Sequence, residues 1–104
     1  MPVSASLNDR NLDGLTVVVD TVAAAGTPEQ LASLAVPDGL NLVVRARSVN
    51  TDVVYVANSS ANASGTHRIT LNSGDAVLLR VTNANILWID AAVNGEGVEV
   101  FVET

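Results

Sequence analysis

The sequence contains no cysteine and no lysine, a single histidine, and one each of Phe, Trp and Tyr. Without cysteine there is no disulfide framework, no thiolate zinc site and no thiol nucleophile. One imidazole, His67, cannot build a zinc site of the usual kind within one chain, so a surface position beside a loop is expected for it. Basic charge is scarce too. The five basic residues are Arg10, Arg45, Arg47, Arg68 and Arg80, scattered along the chain without a run that could neutralise a phosphate backbone, so no nucleic-acid partner is expected. Apolar runs are short, and no basic stretch followed by an apolar core opens the chain. Neither a membrane contact nor a signal peptide is therefore expected.

What is present is β-forming. The chain has 104 residues, a formal net charge of −6 and 48% hydrophobic residues, which is one domain's worth and too apolar for disorder. Eighteen Val, three Ile and eight Thr supply the β-branched side chains that suit a pleated surface, and no amphipathic helical period is sustained. Residues 1–14 are polar with isolated apolar positions and read as an extended N-terminal arm ahead of a domain over 15–104. Leu15 to Val22 reads as a strand. Thr27-Pro28-Glu29-Gln30 carries the cap, proline and glutamine of one short helical turn.

From Leu40 the alternation is cleaner, with Leu40, Leu42, Val44 and Ala46 on one face and Asn41, Val43, Arg45 and Arg47 on the other. Val53 to Ala57 is a short strand, and the small, polar residues 58–66 form a long exposed loop. Ile69 to Leu71 resumes pairing. Ala76 to Val81 follows, with Val77, Leu79 and Val81 inward. Ile86 to Ala91 and Val98 to Glu103 form the last strands, joined as a hairpin through Asn94-Gly95, with Val98, Val100 and Val102 inward. The expected fold is all-β, a small antiparallel β-sandwich or barrel of about seven strands.

Residues 31–103 resemble a group of small virion proteins of tailed bacteriophages. The likeness is carried by Asn50-Thr51-Asp52-Val53-Val54-Tyr55-Val56, by Leu71-Asn72-Ser73-Gly74-Asp75-Ala76-Val77, and by Val81-Thr82-Asn83 ahead of Ile86-Leu87-Trp88-Ile89 and Val98-Glu99-Val100. Where such proteins often carry glycine after Val-Tyr-Val, this chain has Ala57-Asn58. The resemblance implies a small β-sandwich used as a capsid decoration or head–tail piece.

Asp9, Asn11, Asp13 and Gly14, with Asp20 eleven residues after Asp9, copy the ligand spacing of a calcium loop, but with Asp in place of the final Glu and without flanking helices. Ordinary turn chemistry explains them, and no metal or cofactor is expected. Asp38/Asp52 and Glu99/Glu103 read as solvated charge, not as an acid/base pair. Without a nucleophile elbow, no enzyme is expected. More informative are apolar residues opposite the proposed core stripes. Leu78 and Phe101 face outward, Val43 and Trp88 extend that surface, and Val3 and Leu7 on the arm are spaced to anchor on a neighbour. These are the candidate interface residues. The expected role is a non-enzymatic structural protein of the virion surface, made in the host cytoplasm. It would decorate or cement the shell as a homo-oligomer, with a trimer favoured and a dimer as the other option. The expected partner is the major capsid protein or another virion protein. The alternative is a tail-tip or fibre module binding host carbohydrate, for which one Trp, one Tyr and one Phe offer few stacking platforms.

Overall fold

The computed structural model describes residues 14–103. Eight strands form, β1 (Leu15–Thr21), β2 (Glu29–Gln30), β3 (Leu42–Ala46), β4 (Val54–Ala57), β5 (Ile69–Leu71), β6 (Ala76–Leu79), β7 (Trp88–Ala91) and β8 (Gly97–Glu103). A single helical turn, α1, spans Ser60–Ala63, and a 3-10 turn covers Ala84–Ile86. Two four-stranded antiparallel sheets are ordered β1–β8–β3–β6 and β2–β7–β4–β5. Strand one pairs with eight, two with seven, three with six and four with five, alternately in one sheet and the other. A long antiparallel ribbon rolled up on itself has that order, which is the jelly-roll arrangement of two packed sheets.

The core lies between the sheets. From the first come Leu42, Val44, Ala46, Val98, Val100 and Val102, and from the second Leu31, Val54, Val56, Leu71, Ile89 and Ala91, all buried. The inward stripes expected for β3, β6 and β8 are the observed ones, because each has one face of branched apolar residues and a register that keeps those faces together.

Three local expectations are corrected. Thr27-Pro28-Glu29-Gln30 is not a helical turn: Glu29 and Gln30 pair with Ile89 and Trp88, and the Leu31 amide donates to the Leu87 carbonyl over 3.0 Å. A helix this short cannot recover its nucleation cost, whereas docking on β7 satisfies backbone groups and buries Leu31. The helical turn lies instead within residues 58–66, where Ser59 Oγ accepts from the Asn62 amide and Ala63 is fully buried. Lastly, β7 and β8 are not a hairpin. They belong to different sheets, and the Asn94-Gly95 turn carries the chain across the edge of the sandwich, with the Gly95 amide donating to the Val22 carbonyl.

Candidate functional site

The outer face of the β1–β8–β3–β6 sheet is built by register. Val17 lies opposite Phe101, Phe101 opposite Val43, and Val43 opposite Leu78. Residues directly opposite one another share a face, so these four form an apolar row across the whole sheet, at right angles to the strands. The next row is Val19, Glu99, Arg45 and Ala76, in which Arg45 Nε donates to Glu99 Oε1 over 2.9 Å. On the other side of the apolar row, Leu15 lies opposite Glu103. Val17 is 52% exposed and Leu78 61%, while Phe101 and Val43 are half-buried by their neighbours. No described residue covers this face.

Strand β1 contributes in an unexpected sense. Its inward row is Thr16, Val18 and Asp20, facing Val102, Val100 and Val98, while its more apolar set, Leu15, Val17 and Val19, points away from the core. Slipping the pairing by one residue would bury all three. At the end of this pairing Gly97 faces Thr21, and the two strands pass so closely that a Cβ on Gly97 would overlap the Asp20 carbonyl oxygen and lie 2.6 Å from Thr21 Cα, so the observed register admits only glycine there. Buried Asn50 reinforces the position, donating through Nδ2 to the Gly97 carbonyl (2.8 Å) and accepting from its amide at Oδ1 (3.3 Å). The carboxylate of Glu96 accepts from the Thr51 amide and hydroxyl and from the Asp52 amide, and those bonds hold its pKa below the ordinary value.

Of the interface residues read from sequence, Leu78 and Phe101 lie together on this face. Trp88 does not. It pairs with Ala57 and Gln30 on the outer face of the other sheet, on the far side of the sandwich, and is half-buried there. Val3 and Leu7 lie outside the described residues. The sequence reading missed Leu15, Val17 and Val19, because a strand is normally oriented by its more apolar face, and here that rule points the wrong way.

Elsewhere, a groove of about 410 Å³ opens between the sheets, lined by Val56, Ile69, Leu79 and Leu87 with Asn58, His67 and Arg68 among its wall residues. Arg68 is already engaged, its guanidinium carbon 3.4 Å from the Tyr55 ring centroid and its Nη1 donating to the Ala63 carbonyl. His67 is exposed, as expected. Asp38 and Asp52 lie in separate turns, and Asp52 Oδ1 accepts from the next amide, of Val53. Asp9, Asn11 and Asp13 lie outside the described residues. Asp20 is partly buried on an inward row near Glu29, and desolvation, with that neighbouring carboxylate adding to it, raises its pKa. Among the described residues no three acidic or imidazole side chains are grouped to hold a metal, and no helix is long and apolar enough to cross a membrane. Protein-family models, curated proteins and solved structures contain no match to this chain.

Proposed function

We propose that the chain is a non-enzymatic structural protein of a tailed-phage virion, which decorates or cements the capsid shell as a homo-oligomer, joining copies through its exposed sheet face and reaching its neighbours on the shell through its N-terminal arm. The observation that carries this reading is the orientation of β1, which turns Leu15, Val17 and Val19 outward beside Phe101, Val43 and Leu78. An apolar sheet face maintained against the option of burying it is a surface kept for a partner. The motif likeness supplies the class of partner, the major capsid protein or another virion protein. Jelly rolls also host lectins and enzymes, so the fold by itself does not choose. Against a carbohydrate-binding role stands the occupied Tyr55 ring, which leaves few aromatic faces for a sugar.

Cementing works by mass action. A protein that binds only the assembled shell stabilises it by RT ln(1 + [L]/Kd), about 2.7 kcal/mol per site at a hundredfold excess over Kd, repeated at every site. The test is immunogold labelling of virions that encode the chain. Label over the heads is expected. Label confined to tail tips or fibres would transfer the protein to the host-binding class, and unlabelled virions would end the structural reading.

A further inference from the structure

We infer that the outer face of the β1–β8–β3–β6 sheet is a self-complementary surface on which a second copy of this chain docks face to face, about a two-fold axis parallel to the strands. The inference stands on register alone and does not depend on what the protein decorates. A two-fold axis in the interface plane, midway between β8 and β3, lays β1 of one copy over β6 of the other and β8 over β3, each row facing itself reversed. In the apolar row, Val17–Phe101–Val43–Leu78, that operation sets Phe101 over the second copy's Val43 and Leu78 over its Val17. Large side chains alternate with small ones along the row, so every contact pairs a large residue with a small one. Such a face interlocks with its own copy.

The neighbouring row repeats the argument in charge. In Val19–Glu99–Arg45–Ala76 the same axis places each Glu99 over the second copy's Arg45, and Val19 over Ala76, so the ion pair within each chain becomes a four-charge cluster. The other two-fold choice, perpendicular to the strands along the apolar row, would stack Phe101 on Phe101 and set Glu99 against the second copy's Glu103. Like charges oppose that choice. Sheets packed face to face lie about 10 Å apart with strands about 30° off parallel, so contact is closest near the axis, where Phe101, Val43, Glu99 and Arg45 lie.

The area limits the affinity. Four strands at about 4.8 Å spacing and five residues at about 3.3 Å give a footprint of about 320 Å² per copy, below the standard size for stable complexes. A dimer with Kd on the order of 100 μM is therefore expected, strengthened wherever copies are held close together.

Sedimentation equilibrium of the full chain to about 1 mM, at physiological salt, tests this with the pair Arg45→Glu and Glu99→Arg. Each variant alone faces like charges across the axis and should dimerise at least tenfold more weakly than the parent chain, although both should fold, since an exposed ion pair contributes little to stability. Mixed, they should form a heterodimer of parental affinity, because the two acidic side chains of the first variant then lie over the two basic side chains of the second. Net charge alone would have Glu99→Arg, at −4 in place of −6, dimerise better than the parent. That result, a dimer indifferent to both changes, or a mixture that fails to pair would each overturn the proposal. So would a chain that stays monomeric throughout, which would leave its own residues 1–13 or another protein as the occupant of the face.

Discussion

Gly97 has no room to gain a side chain. It lets the Asp20–Thr21 backbone pass where any side chain would collide with it, and Asn50 holds both of its backbone polar groups. Gly97→Ala should cost on the order of 3 kcal/mol or more, read as a drop in urea midpoint at unchanged slope, because the colliding partner is backbone and cannot rotate away. Asp20 works in the opposite sense. Its folded pKa lies above the ordinary 3.8, so its charged form is disfavoured in the native state. The resulting destabilisation is complete well above the folded pKa and disappears below the unfolded one, where both states are protonated. Asp20→Asn keeps an acceptor for the Ala32 amide and removes the repulsion from Glu29. It should raise the melting midpoint at pH 7, with the gain shrinking toward zero as pH falls to about 3.5, which parallel scans of the two proteins would measure. A gain independent of pH would mean that packing, not charge, is responsible.

At the scale of elements, α1 is a four-residue turn that cannot persist alone. It is held at one end by the Ser59 cap and at the other by Arg68, which bonds the Ala63 carbonyl while lying over Tyr55. Arg68→Ala should therefore cost about 1 kcal/mol globally while accelerating amide hydrogen exchange selectively at residues 62–65. Uniform acceleration would show the turn to be held by the sheet alone. Here lies the difference between what could be read from the residues and what could not. Strands β3, β6 and β8 alternate cleanly, so their inward faces and the outward Leu78, Val43 and Phe101 were legible. β1 was legible as a strand but not in its facing, because the pairing with β8 turns its more apolar set outward, against the rule by which a strand's face is read. β2 and α1 were not legible, since each is a short segment whose conformation is chosen by what it docks against. The crossing of Asn94-Gly95 between sheets was hidden for a related reason: a two-residue turn signal fixes the local bend and says nothing about which strand lies beyond.

For the whole molecule, the two outer faces differ. One carries the apolar row, while the other is partly covered by α1, which packs on β4 and β7 and leaves Trp88 half-buried. Phe101→Glu and Trp88→Glu should consequently behave differently in assembly. The first should abolish self-association and lower capsid occupancy by at least tenfold with a melting midpoint within a few degrees of the parent, the second should leave both intact. Quantitative gels of purified particles and sedimentation of the free protein would measure this, and a Phe101→Glu chain that unfolds would show that residue to be part of the core. Deleting residues 1–8 should likewise reduce occupancy on shells with little effect on the isolated domain's melting. The rolled ribbon also governs how the chain is made. Because β8 lies between β1 and β3, and β7 between β2 and β4, neither four-stranded sheet can close until its late strand has left the ribosome, at about 5–20 residues per second. Until then only the β4–β5 hairpin and the β3–β6 pair have their partners, and β1, with both its faces uncovered, waits for seconds. Expression at reduced temperature or with a chaperone bound to the nascent β1 should thus affect the yield of this protein more than any change in the stability of the finished fold.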